Sequence, residues 1–330
     1  MLGGSKLNKI KNKIMNFYTE NQYGKPVLFL LLVVIICSFL SEHFFTLGNL
    51  EAVLITAAPL IILGVGVSLV VLTGMIDLGI EAVAASSGVI MAILDLSFRL
   101  PTALSFTIVI LYGILVGALV GLLVVKFRIP SFIVTLGTYW GLRGVGMLIS
   151  GGVPITPSSF TPYNPISYSW LAGYVYDIPV MPIIAIAIAI FVHFYVSQSQ
   201  RGRHLYAIGG HEIAAGIRGI NVEKNKIFVF IVSGTLAAFA GILLSAWLSE
   251  GYAWAAKGYS LEAIAAVVLG GIPFAGGHGT VIGVMIGAII IAIISDIITL
   301  MGVSPLYNYI VVAIVLVLAG LQINKRDVVK

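Results

Sequence analysis

Residues 27–40, 57–72 and 183–196 are apolar almost without a break. A soluble helix shows one apolar stripe and a half-buried strand alternates, so runs that are apolar on every face belong in a deep core or in lipid. The chain is 59% hydrophobic and 9% charged, with a mean hydropathy of +1.09, whereas a soluble domain carries about 25% charge. That leaves too little polar surface to face water. Membrane strands would give ~10-residue alternating segments, which these runs are not. The sequence therefore predicts an all-α polytopic membrane protein, because a helix satisfies its own backbone hydrogen bonds in hydrocarbon.

A span needs ~20 apolar residues, so the 330 residues hold about ten transmembrane helices. They are expected near 27–40, 51–72, 79–94, 104–125, 130–150, 180–197, 227–248, 259–275, 281–300 and 306–321, in one transmembrane domain over 1–330. Lys6, Lys9, Lys11, Lys13 and Lys25 precede the first run in a segment over 1–25, and no small-x-small cleavage site follows it, so it reads as an uncleaved span. With that segment cytoplasmic, alternation places Lys126, Arg128, Arg201, Arg203, Arg218, Lys224, Lys226, Lys325, Arg326 and Lys330 on the same side. That accounts for fifteen of the eighteen Lys and Arg residues, leaving Arg99 and Lys257 outside and Arg143 within a span. The bias predicts that both termini are cytoplasmic. The net charge of +5 is thus an orientation signal and not the mark of a nucleic-acid partner.

Two loops are long. The external loop 151–179 interleaves Pro154, Pro157, Pro162, Pro165 and Pro179 with Tyr163, Tyr168, Trp170, Tyr174 and Tyr176; it reads as an interfacial aromatic anchor or as a receptor for a partner. The cytoplasmic loop 198–226 is the longest charged stretch, and residues 211–217 within it fit a short helix flanked by glycines. The alternatives there are a docking surface and a basic loop lying on anionic headgroups. The run Val70-Val71-Leu72-Thr73-Gly74 is echoed by Val267-Val268-Leu269-Gly270-Gly271. Both breaks fall on the same side by alternation, whereas inverted repeats place them on opposite sides, so the echo reads as coincidence or parallel helix-breaking.

Enzymatic signatures are missing. The nearest approach to a phosphate-binding loop, residues 271–278, lacks the lysine. The five histidines show no metal-ligand spacing and no G-x-S-x-G motif occurs, so neither a metal site nor a catalytic role is expected. The single cysteine, Cys37, forms no intramolecular disulfide. What remains is a set of ionisable groups at membrane depth: Asp77, Glu81, Arg143, Glu262 and Asp296. Each costs ~2.5–3.5 kcal/mol at a span's centre, so each is expected to face a cavity, a partner or an interface. Asp77 lies where Gly74 and Gly79 interrupt apolar sequence; it reads either as part of a pathway or gate or as the cap of the next helix. Glu262 is expected in the first turn of a helix capped by Ser260, and Arg143 is expected to pair with one of the carboxylates.

Five ordered segments resemble the permease subunits of ATP-binding-cassette importers for ribose, xylose, arabinose, galactose and similar monosaccharides. Phe44-Phe45-Thr46-Leu47-Gly48-Asn49 is similar to F-x-x-x-x-N, and Thr73-Gly74-Met75-Ile76-Asp77-Leu78-Gly79-Ile80-Glu81 to T-G-G-I-D-L-S-V-G. Ile129-Pro130-Ser131-Phe132-Ile133-Val134-Thr135-Leu136-Gly137 matches I-P-S/P-F-I-x-T-L-G. Residues 202–222 resemble the coupling segment, while residues 258–271 and 276–281 resemble G-Y-E-L-D-A-I-A-A-V-V-L-G-G and S-G-G-x-G-T-V. The chain departs from the pattern at Met75, at Gly79-Ile80-Glu81, and at Gly216 and Arg218.

The resemblance implies a permease with no cofactor of its own. ATP and Mg are expected in a partner ATP-binding cassette subunit, with substrate delivered by an external sugar-binding protein and a passage enclosed with a second permease chain. It further implies that Arg203, His204, Ala207, Ile208, Gly209, Glu212, Ala214, Ala215, Gly216 and Ile217 couple to the ATPase. Candidates for the translocation pathway or gate are Thr73, Gly74, Asp77, Tyr139, Trp140, Tyr252, Trp254 and Tyr259, the aromatics because sugars stack on rings. The aromatic belt is the competing role for those rings. Rival expectations are a proton-coupled secondary transporter, a membrane scaffold, and an importer permease for nucleosides or branched-chain amino acids.

Overall fold

The computed structural model describes residues 23–157, 166–304 and 306–327, with side chains through Val317. Lys6, Lys9, Lys11, Lys13, Pro162, Tyr163, Pro165 and Lys330 lie outside the described residues, as do the side chains of Lys325 and Arg326. Among the described residues the architecture is all-helical apart from one hairpin of two-residue strands and an isolated bridge between Ile155 and Gly251. In chain order the helices are α1 (Gly24–Leu40), α2 (Leu47–Leu72), α3 (Ile80–Ala92, continued by a π turn Ile93–Ser97), α4 (Thr102–Lys126), α5 (Ser131–Ser150) and α6 (Val180–Gln198). They continue as α7 (Gln200–Gly210), α8 (Glu212–Ile217), α9 (Val222–Leu248), α10 (Tyr259–Leu269), α11 (Val281–Leu300) and α12 (Tyr307–Asp327). Among the described residues seven are long and apolar enough to cross a membrane: α2, α3 with its π turn, α4, α5, α6, α9 and α11. Three apolar helices are shorter: α1, α10, and α12 as far as Val317.

Burial sorts these helices into layers. In its most apolar window α2 is 83% buried and α3 72%, against 28% for α4 and 22% for α5. A helix that is apolar all round belongs inside the bundle or against lipid; here α2, α3, α9 and α11 form the centre, while α4, α5 and α6 form the outer layer. The expected span over 259–275 is a helix of eleven residues only. Gly271 adopts φ +90, and Pro273 follows without a donor, so the apolar run outlasts the helix. Conversely, α9 starts at Val222, five residues before the apolar run, because Asn221 caps it by accepting from the Lys224 amide at 2.9 Å.

The hairpin pairs Tyr174–Val175 with Ile178–Pro179 in the loop 151–179. Its aromatics divide by role. Tyr168 is fully buried and shares a hydrogen bond with Ser245 of α9 at 2.7 Å, and burial holds its phenol protonated far above the usual range. Trp170, Tyr174 and Tyr176 are exposed.

With no hydrophobic drive between helices in lipid, small residues set how closely they approach. Gly113, Gly117 and Gly121 of α4 recur every fourth residue and face α9; a Cβ on Gly117 would lie 2.3 Å from the Phe230 carbonyl oxygen. Further along α9, a Cβ on Gly241 would lie 2.0 Å from the Ala84 oxygen of α3. We therefore expect Gly117→Val and Gly241→Val each to lower stability by at least the ~1–3 kcal/mol of an overpacked core. Thermal unfolding of the purified protein measures this, with Gly48→Ala, which meets nothing within 4 Å, unchanged.

Candidate functional site

The sequence echo proves to be a repeated helix stop. At the end of α2, the Gly74 amide donates to Val71 O (2.9 Å) and the Met75 amide to Val70 O (3.3 Å). At the end of α10, Gly271 donates to Val268 O (3.0 Å) and Ile272 to Val267 O (3.1 Å). Both are Schellman caps, with glycine in the left-handed position at φ +76 and +90. After each stop the chain runs without helix, over 75–79 and 272–280.

These two breaks touch each other and helix α7. The Gly277 amide donates to Leu72 O at 3.0 Å, and a Cβ on Gly276 would lie 2.6 Å from that oxygen. Helix α7 closes over both: a Cβ on Gly209 would sit 1.9 Å from Leu72 O and 2.4 Å from the Gly277 nitrogen. Tyr206 of α7 donates to Gly279 O at 2.8 Å, and burial beside Tyr23 pushes its phenol up, which keeps the donating proton in place. Glycine at 209, 276 and 277 is thus a requirement of backbone-on-backbone contact.

Asp77 binds the first break to its surroundings. Its Oδ1 accepts from the Gly79 amide (2.9 Å) and its Oδ2 from Ser233 Oγ of α9 (2.8 Å). The Ile76 amide donates to Ser131 Oγ at the start of α5 (3.1 Å). Helix α3 is capped at Gly79 without a side-chain acceptor, so Asp77 folds the turn ahead of the helix and does not serve as its cap. Thr73 is buried beside it, its hydroxyl donating back to Val70 O at 2.8 Å.

Glu81, one turn further on, takes Arg143 of α5 as its partner in an ion pair whose side chains are 3% and 1% exposed. Its other carboxylate oxygen accepts from the Gly258 amide (3.0 Å) and the Ser260 amide (3.3 Å), the free N–H groups that open α10. This corrects the expectation for Ser260: its hydroxyl donates to Leu78 O at 2.8 Å, and the cap of α10 comes from Glu81 on another helix. Arg143 also donates to Ala253 O (2.9 Å), and its guanidinium lies over the rings of Trp254 (4.3 Å) and Tyr139 (5.0 Å).

Of the pathway candidates, Tyr139 and Trp254 therefore meet at Arg143. Trp140 points outward at 61% exposure against the Tyr139 ring, and Tyr252 is half-buried. Tyr259 lines a separate cavity with Glu262 and Asn308. Asp296 accepts from Asn49 at 3.0 Å.

The coupling candidates separate into two faces. Ile208, Gly209 and Ala215 turn toward the bundle, and His204 and Ala214 are half-buried. Arg203, Ala207, Glu212, Gly216 and Ile217 are exposed. His211 caps α8 through Nδ1, which accepts from the Ala214 amide at 3.2 Å, and Lys226 of α9 holds Glu212 at 2.7 Å. The short helix expected over 211–217 is thus present, clamped to the start of α9. Sequence reasoning missed Ile213, whose 71% exposure beside Ile217 at 83% makes an apolar pair one turn apart on a solvent-facing helix. It also missed Tyr206, Ser233 and Gly276, whose partners are distant in sequence. Among the described residues no group of three or more His, Cys, Asp or Glu side chains stands ready to hold a metal ion.

Removing one member of a buried ion pair strands the other. Arg143→Met is expected to lower stability by roughly 3–5 kcal/mol, read from thermal unfolding in detergent. The double variant Glu81→Gln with Arg143→Met is expected to lose much less, since no charge is left buried; equal losses would show that the pair acts only through packing.

Comparison with known proteins places this geometry in a family. Residues 49–320 match the model described as branched-chain amino acid transport system / permease component. The chain is 37% identical over 318 residues to the ribose import permease protein of Haemophilus influenzae, covering 96% of this chain and 98% of the relative. It is 38% identical over 305 residues to the ribose import permease protein of Escherichia coli, covering 92% and 94%. With the D-allose transport system permease protein of Escherichia coli it shares 31% identity over 291 residues, 88% of each. No solved structure matches the chain significantly. A helical bundle with seven apolar helices of spanning length, broken twice at glycine stops and matched over 272 consecutive positions (49 through 320), belongs to the branched-chain amino acid transport system / permease component family and is a multi-pass protein of the cell membrane.

Proposed function

We propose that this chain is the permease subunit of an ATP-driven importer that admits a monosaccharide of the ribose class. The sugar half of the reading rests on the ribose import permeases that match it nearly end to end. The coupling half rests on one observation: α7 seats on the backbone of both helix breaks, while its neighbour α8 turns Ile213 and Ile217 outward.

The seven long and three shorter apolar helices fit ten crossings, and the basic residues at α7, α8 and the start of α9 fit a cytoplasmic face for the coupling loop 198–226. Residues 1–330 then form one transmembrane domain, with both termini inside and loop 151–179 outside to meet a sugar-binding protein. The Ile213 and Ile217 pair is the surface for an ATP-binding cassette subunit, which carries the ATP and Mg. Helix α5 leaves Gly137, Gly141 and Gly144 with nothing within 4 Å, a face suited to a second permease chain across the passage.

Closure of the ATPase pair displaces α8, which is clamped to α9 by Glu212 and Lys226 and joined to α7 through the single residue His211. Gly209 and Tyr206 press on Leu72, Gly277 and Gly279, and the two breaks shift together because they are hydrogen-bonded to each other. Rigid α3 and α11 follow, and the passage exchanges outward and inward access as a two-state element biased from both ends.

Reconstitution with the cassette subunit and binding protein in vesicles tests this. ATP inside is expected to drive uptake of labelled D-ribose, and proton-driven uptake without the ATPase would overturn the reading. Ile213→Glu with Ile217→Glu is expected to abolish uptake and binding of the cassette subunit while membrane insertion is retained. Gly209→Val is expected to retain that binding and lose uptake. Ala215 is unsuited to the docking test because it is buried against the bundle.

A further inference from the structure

One polar cavity in the bundle takes no part in the contacts between the breaks and the coupling helices. It has a volume of about 200 Å³ and opens among α2, α10, α11 and α12. One water needs roughly 10–15 Å³ on this measure, so the space admits a compact solute; it is smaller than the ~300–1,000 Å³ typical of drug-sized ligands. Its walls carry Glu262, Asn308, Tyr259, Ser295 and Thr56, with Lys257 exposed at the rim, and aliphatic side chains complete the lining.

Groups of this kind are costly within a membrane bundle and persist where they face a route or a ligand. Glu262 Oε1 accepts from Asn308 Nδ2 at 2.9 Å, which orients both on one wall. One acidic and one basic side chain share the lining, and the Lys257 ammonium already lies 5.8 Å from the Trp254 ring centroid. Such a lining selects neither cation nor anion. Carboxylate, amide and hydroxyl groups beside a tyrosine ring suit a solute that presents several hydroxyls and an apolar C–H face.

We propose that this cavity binds an uncharged polyhydroxylated solute of monosaccharide size within a single chain. The proposal rests on the importer reading above and adds that one protomer holds the sugar without help from a second. The test uses the full-length permease alone in lipid nanodiscs, with no binding protein and no ATPase, and records saturation-transfer NMR of D-ribose. Transfer is expected in the wild type. Glu262→Gln and Asn308→Ala are each expected to weaken it about tenfold in apparent affinity, the loss of one hydrogen bond to a charged or amide partner. Ala292→Phe, which fills the cavity from α11, is expected to abolish transfer. Because Glu262→Gln keeps the acceptor for Asn308, it preserves the local fold and keeps the test decisive if the bulkier variant misfolds. Absence of transfer in the wild type, or transfer unchanged in Glu262→Gln and Asn308→Ala, would overturn the site. If those results come with ATP-driven ribose uptake by the complete importer, only this site falls; if that uptake is absent too, the importer reading falls with it.

Discussion

A peptide group that leaves a helix inside hydrocarbon has no water to turn to, so every interruption of a membrane helix must be satisfied by protein. The rest of this structure depends on how two such interruptions are satisfied. The ends of α2 and α10 use the same glycine stop, and the carbonyl freed at Leu72 is taken by the amide of Gly277 in the other break. Free N–H groups at the start of α10 are taken by Glu81, and the stray amide of Ile76 by Ser131. Satisfying the breaks thus ties α3, α5 and α10 together, and the glycines that let the two breaks meet also let α7 reach them.

The cation at Arg143 follows from the same constraint. A guanidinium at membrane depth survives because Glu81 neutralises it, Ala253 accepts from it, and two aromatic rings cover it. The family pattern that residues 73–81 resemble has glycine where this chain has Glu81. The carboxylate that pairs with Arg143 doubles as the cap of a helix to which it is not joined.

Much of the fold was legible because lipid imposes length and composition on each crossing. The helix stops at Gly74 and Gly271 could be read from glycine after an apolar run, and the short helix over 211–217 from its flanking glycines. What failed has a common cause: the deciding partner lay far along the chain. Ser260 looked like a cap because serine near a helix start usually is one, yet Glu81, 179 residues away, outcompeted it. Asp77 was poised between two roles until Ser233, 156 residues on, fixed one of its oxygens. Helix α8 spans too few residues for a periodicity to separate its faces, so Ala215 and Ile213 were indistinguishable by pattern. The repeat Gly113-x-x-x-Gly117-x-x-x-Gly121 was visible in the letters, but its meaning came only with the helix packed against it.

Helix α9 has 27 residues and is therefore about 40 Å long at ~1.5 Å per residue. Near its start it holds α8 through Lys226, its middle holds the first break through Ser233, and its last turns hold the loop 151–179 through Ser245 and Tyr168. Glycine contacts at successive levels seal it to α4 and then to α3. One straight element is thus held at three levels along its length. A displacement of α8 at one end of this rod is thereby linked to the loop that Tyr168 anchors at the other end, about 40 Å away.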